Sequence, residues 1–505
     1  MINFINRSQT TSTCAGALMK MRSLSKVIAS IGVTTLAISA YAQSNQPAEA
    51  PQPPPTPTGL SQAVERAITT HPEINARYQD FVSSLEGKNI ARAGWRPQVT
   101  AQAWIGKEWR SNISNAPSYD WNRPGWNLEL RQLIFDGGAT SGRIQQFGFE
   151  KLSKYYDLLA TSNSLASEAA GAYLDVQRYR AMAQLANDNF TMHQTTLGQL
   201  QERQKSGVGR GVDMEQASGR LSLAQTNLMT ESNNLNDVTQ RYRRIVGDYP
   251  AATMQDAPDV SAKLPVPGTV KDFSDSLRIN PTILSKQALV QASQAGVDVA
   301  KAAHAPILDL RASTGRDREQ PGDAYKDVQA SRVQLMLTYP LYRGGADEAR
   351  IRQTAAQTYA AQDVRDYTCR NVQQELSVTW NNIIRLRQQL PFLREHELST
   401  SKVRVAYQQQ YQIGQRSLLD LLDTENELFD ARRALLNAEY DLKKAEYQWL
   451  TWSSQVLPAL GLTTPHNDSQ PEEHNDLVLP DDIVAACQTN VPDTNNLSPL
   501  VAVTK

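Results

Sequence analysis

A unit of about 200 residues is written twice in this chain, and that repetition restricts the possible folds more than any other feature. His71-Pro72 and Asn280-Pro281 each precede a helical stretch, Pro97 and Pro306 each open a strand pair, and Gly137-Gly138 and Gly344-Gly345 each close one. Both proline pairs are offset by 209 residues and the glycine pairs by 207. Two copies of one structural unit follow, each with a sheet part and a helix part.

The apolar period changes inside each copy. Val99, Ala101, Ala103 and Ile105 alternate with polar residues, as do Trp126, Leu128 and Leu130, then Leu308, Leu310 and Ala312, then Val333, Leu335, Leu337 and Tyr339. Alternation of this kind marks strands of about ten residues with one apolar face, the length of a tilted transmembrane strand. Five of eight tryptophans (Trp95, Trp104, Trp109, Trp121 and Trp126) lie around the first pair, as an aromatic girdle at a bilayer interface requires. A soluble sheet shows the same alternation, so the strands alone favour a membrane only weakly.

The rest reads as helix. Residues 139–205 and 346–412 contain no proline except Pro391, and each run extends ~100 Å at 1.5 Å per residue. Shorter helices follow at 212–247 and 417–453. Met214, Leu221, Leu228, Leu235 and Tyr242 recur every seven residues in the first, and Leu421, Leu428, Leu435, Leu442 and Trp449 in the second. Ala217, Ala224, Ala431, Ala438 and Ala445 stand in the companion positions, so the seams are coiled coils with room for close approach. Four strands cannot close a barrel within one chain, and an open sheet edge in lipid leaves backbone groups unsatisfied. Two chains supply eight strands, whose interior fills with side chains. Three supply twelve and the first useful lumen. Provided the strands lie in a membrane, the expected fold is an α+β membrane protein: a trimeric tube whose twelve strands, four per chain, close one β-barrel, joined to long α-helical coiled coils.

Lys20, Arg22 and Lys26, an apolar run from Val27 to Ile38, and Ala40-Tyr41-Ala42 make a secretory signal peptide over 1–42, with translation beginning at Met19 or Met21 a further reading. Cys14 precedes the apolar core, so no lipid anchor is expected. Cleavage leaves Cys369 in a helical pattern and Cys487 in a polar tail. Two free thiols are expected there rather than a bridge. The chain divides into a proline-rich linker at 43–59, a first repeat at 60–247 with strands about 98–135, a linker at 248–270, a second repeat at 271–457 with strands about 306–342, and a polar tail at 458–505 that trails along the outside of the helices or is disordered. Basic and acidic residues number 51 and 52, which leaves no electrostatic case for nucleic acid.

These features, together with Tyr411-Gln-Ile-Gly-Gln-Arg-Ser-Leu-Leu-Asp-Leu-Leu-Asp423, resemble the TolC-like outer-membrane factor family over roughly Leu60 to Pro458. The resemblance implies a homotrimer in outer-membrane lipid whose tunnel crosses the periplasm to a periplasmic adaptor and an inner-membrane ABC transporter or other pump. Ser206-Gly-Val-Gly-Arg-Gly-Val-Asp213 looks like the branch serving type I protein secretion, often of large adhesins; multidrug efflux is the alternative. In the family a tyrosine and an arginine of this motif hold the periplasmic entrance shut, and Tyr411 and Arg416 stand at the matching positions. The less favoured rival is a periplasmic coiled-coil adaptor or scaffold.

Asp420 and Asp423, three residues apart, share one helix face after Gly414. In a single chain they read as solvated carboxylates of a first helical turn. In a threefold assembly six carboxylates ring the mouth and attract cations. Asp213 lies opposite Asp420 at the 207-residue offset and is the expected acceptor for Arg416, although the first turn is shorter than the second. Nothing in the chain suggests an enzyme, a cofactor or a metal. The glycines at 207–211 lack a preceding strand and a Gly-Lys-Ser/Thr ending, and the six histidines show no i, i+4 pair. The exterior loops are expected around 110–125 and 316–331, with the turns at Gly209 and Gly414 deep in the periplasm.

Overall fold

The computed structural model describes residues 56–110, 119–207, 210–265, 273–319, 326–466, 469–477 and 479–487. The leader, Cys14, Gly209, the middle of both strand loops, part of each linker and the tail beyond 487 lie outside the described residues.

Each copy begins with a broken helix. α1 (Leu60–Thr70) and α2 (Pro72–Ala93) meet at His71, whose side chain accepts from the Glu73 amide while Pro72 occupies the first helical position. α5 (Ser274–Ile279) and α6 (Pro281–Ala302) meet at Asn280, which accepts from the Thr282 and Ile283 amides beside Pro281. Proline at that position loses no hydrogen bond, and the polar cap satisfies the orphan amides. The repeated X-Pro pairs are thus helix starts.

The strands are β1 (Gln98–Arg110), β2 (Tyr119–Phe135), β3 (Ile307–Glu319) and β4 (Lys326–Thr338). They form one antiparallel sheet in the order β1-β2-β3-β4, so the duplicated hairpins pair through β2 and β3 and leave β1 and β4 as edges. The register opposes Ala101 to Leu128, Leu130 to Ala312, and Leu310 to Leu335. Every apolar stripe therefore shares one face, on which Ile105, Val333, Leu335 and Leu337 are exposed. The other face is polar and carries Arg123 against Glu108 (2.8 Å) and Asp317, and Arg131 against Asp309 (2.9 Å).

The sheet corrects two expectations. Its strands run 13 to 17 residues rather than about ten, because pairing continues past the apolar band through the charged pairs Lys107–Asp120 and Arg318–Asp327. The tryptophans are not one girdle. Trp109 and Trp126 lie on the apolar face, but Trp104 and Trp121 share the polar face, where Trp104 covers Gly125 and Trp121 donates to the Arg318 carbonyl. A Cβ at Gly125 would meet the Trp104 ring at 2.4 Å.

Strand turns into helix at Gly137-Gly138 and Gly344-Gly345, all with φ between +63° and +90°, where a side chain is strained. From there α3 (Ala139–Lys205) and α7 (Ala346–Gln412) each run 67 residues, and Pro391 is accommodated within α7. Near the sheet α3 packs with α2 and α6, and α7 packs with α6. Farther away they pack with α4 (Gly211–Val246) and α8 (Leu418–Trp452). The main core lies where these layers meet, with Tyr173 against Tyr242 and Trp380 against Trp449. Among the described residues, no helix is long and apolar enough to cross a membrane.

The described part of the tail lies along the helices. After α9 (Val456–Ala459), His466 stacks on Tyr78 at 3.6 Å, Glu473 pairs with Lys88 and with Lys151 (2.6 Å), and His474 meets the Tyr156 hydroxyl. α10 (Asp481–Cys487) then ends in a disulfide to Cys369, so these cysteines are bridged rather than free. Of the two expectations for the tail, trailing along the helices fits its described residues up to Cys487, which are held by partners distant in sequence. Burial pushes the Glu473 carboxyl up, yet the two lysines hold it below the usual range.

Candidate entrance constriction

The two helix turns farthest from the sheet bring the candidate residues together. α3 ends at Ser206 and Gly207, and α4 starts at Gly211; α7 ends at Ile413 and Gly414, and α8 starts after Ser417. Leu200, Ala217, Leu418 and Leu422 form a small core there, with Leu197 and Tyr411 against it.

Asp420 belongs first to its own helix. The Ser417 hydroxyl accepts from the Asp420 amide (3.2 Å), and the Asp420 carboxylate accepts from the Ser417 amide (3.4 Å), a reciprocal cap. Arg416 lies 3.7 Å from that carboxylate, donates to the Gln410 side chain at 3.0 Å, and stacks on the Tyr407 ring at 4.3 Å. Asp423 pairs with Arg220 and so ties α8 to α4. Arg203 donates to the Tyr411 hydroxyl (3.3 Å) with its guanidinium over the ring, tying α3 to α7. Asp213 lies in the first turn of α4 and makes no hydrogen bond or ion pair among the described residues. Within one chain, then, Arg416 reaches Asp420 and Gln410 and not Asp213.

Both carboxylates face water, with side chains 41% exposed at Asp420 and 54% at Asp423. Their charge is available to ions, but Arg220 offsets part of that on Asp423. Arg203, Tyr407 and Gln410 escaped the sequence reading, and Arg220 was read only as part of a motif, without its partner. The signal for one contact was present, since the 207-residue offset sets Arg203 opposite Gln410, beside Tyr411. Above the turn His193 is buried, facing Asn426 and Arg220, and burial pushes its imidazole below the usual value.

A long helical hairpin pair beneath a four-stranded sheet with two open edges is a recognisable unit, and the sequence decides which. The family model described as "Outer membrane efflux protein" matches residues 63–248 and 273–449. The chain belongs to that family. It is 24% identical to the outer membrane efflux protein BepC of Brucella suis biovar 1, over 82% of this chain and 89% of the relative. It is 23% identical to the outer membrane protein TolC of Escherichia coli K12, over 76% and 79%. The alkaline protease secretion protein AprF of Pseudomonas aeruginosa is 22% identical, over 76% and 82%. Among solved structures, the outer-membrane channel OprN superposes with a TM-score of 0.70 at 19% identity, covering 78% of this chain and 90% of that one.

This outer membrane efflux protein is thus an outer-membrane channel-tunnel extending into the periplasm and not an enzyme. Its four strands per chain make the twelve-stranded barrel of the trimeric fold.

Proposed function

We propose that this chain is the outer-membrane exit of a type I secretion system carrying a protein substrate such as an adhesin, engaged by a periplasmic adaptor and an inner-membrane ABC transporter. The observation that carries the reading is the α3–α4 turn sequence from Ser206 to Asp213, which resembles the secretion branch. The likeness to a protease secretion protein supports it. Multidrug efflux is the second reading, favoured by the likeness to BepC.

In this proposal Tyr411 and Arg416 hold the entrance closed, with Asp213 an acceptor in a neighbouring chain, and Asp420 and Asp423 make the constriction cation-selective. Exposed ties of this kind are individually worth only ~0.2 to 1 kcal/mol. Closure then rests on threefold repetition and coiled-coil packing, and an adaptor that favours the splayed state by a comparable sum opens it. Cells lacking this chain are expected to lose one or a few large proteins from the medium while drug susceptibility stays unchanged. An unchanged set of secreted proteins with raised susceptibility would favour efflux instead.

A further inference from the structure

At the junction of sheet and helices, a cavity of about 360 Å3 is lined by Gln98 and Arg131 of the polar sheet face together with Arg96, Arg143 and Arg343. Since the opposite sheet face is the apolar one, this cavity opens to the lumen. A larger one of about 1160 Å3 shares Arg143 and Arg343 and continues along α3, α6 and α7 past Arg350 and Lys154.

Six bases thus line one continuous lumenal surface, and only two have acidic partners. Arg131 pairs with Asp309 at 2.9 Å and Arg343 with Asp347 at 3.4 Å. The remaining acids on this surface, Asp136 and Glu150, accept from neutral donors and keep their charge, so with Asp309 and Asp347 they stand as four acids against six bases and leave an excess of two bases per chain. Asp136 accepts from the Thr140 amide (2.8 Å) and hydroxyl (2.6 Å) at the start of α3, and Glu150 accepts from Gln146 at 3.0 Å. Arg96, Arg143, Arg350 and Lys154 are exposed and make no ion pair among the described residues. Threefold symmetry makes twelve such bases in a cleft with low-dielectric walls, which focuses their field. Along α3 the belt reaches from Arg143 to Lys154, ~16 Å at 1.5 Å per residue. That is the span of about five residues of extended polypeptide, so the surface fits a run of carboxylates rather than one small anion.

We infer that Arg96, Arg143, Arg350 and Lys154 form a cationic belt at the top of the tunnel that holds an acidic, extended segment of the polypeptide in transit. The inference rests on the protein-export reading above and adds a substrate class to it. Entrance carboxylates and junction bases then act in series. The first repels an acidic chain once it has passed, and the second draws it toward the barrel.

The test is single-channel recording of the purified full-length trimer in planar bilayers. The probe is a ~20-residue poly-L-glutamate, about four times the belt's span, added from the barrel side. Block events are expected with poly-L-glutamate and not with poly-L-lysine or with free glutamate at the same carboxylate concentration. Their dwell time is expected to fall at least about tenfold in the double variant Arg143→Gln, Arg350→Gln, as loss of charge-assisted hydrogen bonds requires. Arg96→Gln with Lys154→Gln carries the same expectation and serves if the first variant does not assemble. Conducting channels whose block is equal in wild type and both variants would overturn the belt and leave the export reading standing. The export reading fails separately, if cells lacking this chain keep an unchanged set of secreted proteins, and the belt's assignment to a polypeptide in transit fails with it.

Discussion

Asp420 serves its own helix and, in our proposal, the pore, and the two roles separate by substitution. Asp420→Asn keeps an acceptor for the Ser417 amide while removing the charge. Replacing Asp420 and Asp423 together with alanine is expected to weaken cation selectivity and abolish block by hexamminecobalt in bilayer recordings. Because Arg220 offsets Asp423, Arg220→Gln is expected to strengthen that block. Tyr411→Phe with Arg416→Ser should raise conductance and leave selectivity nearly unchanged. If the alanine pair leaves block and selectivity untouched, the carboxylates are ordinary groups of a solvated helical turn. His193 is expected to contribute a pH dependence. Its lowered value means the folded seam prefers neutral imidazole, so stability is complete above the free value of about 6.5 and is lost as pH falls through the lowered folded value. His193→Leu is expected to flatten trimer melting between pH 7.5 and 5, whereas an unchanged slope would assign it to another group. Tyr411, Arg416, Asp213, Asp420 and Asp423 were legible as motif positions. Their partners were not, because contacts across a helix hairpin depend on side-chain reach that spacing does not specify.

At the scale of elements, the clearest departure from what the sequence suggested is the Cys369–Cys487 bridge that fastens the strap running from Val456 to Cys487. Cys487→Ser or reduction is expected to expose the strap to limited proteolysis while α3 and α7 stay protected. The bridge closes a loop of 118 residues of sequence separation, for which chain entropy alone gives an upper figure of about 5 kcal/mol. Glu473→Gln leaves Lys88 and Lys151 buried without their counter-charge and should loosen the strap further, at a cost of ~3 kcal/mol. Equal proteolysis of variant and wild type would show that the bridge does not hold it. The repeated hairpins and long helices could be read because period and proline placement are local signals. The strap could not, because Glu473 finds Lys88 385 residues away and nothing near Glu473 announces it.

For the whole molecule the decisive geometry is one sheet with a single apolar face and two free edges. Leu335 lies on that face and Gln334 on the other. Leu335→Arg is expected to impair barrel assembly by ~2 to 4 kcal/mol near the bilayer midplane, and Gln334→Arg to be tolerated, as read by heat-modifiable migration. Equal tolerance at both positions would favour a soluble sheet. Below the barrel, ion pairs such as Arg433–Glu231 (3.1 Å) and Arg387–Glu446 (2.8 Å) join neighbouring helices within one chain. Burial holds the Glu446 carboxyl above its usual value despite Arg387. Closure of the tunnel itself requires other chains, and so does every lumenal property inferred from it. Native mass spectrometry of the detergent-extracted outer-membrane protein tests this most directly. A complex of three mature chains is expected, and a monomeric or dimeric species under conditions that preserve the sheet would contradict the shared barrel.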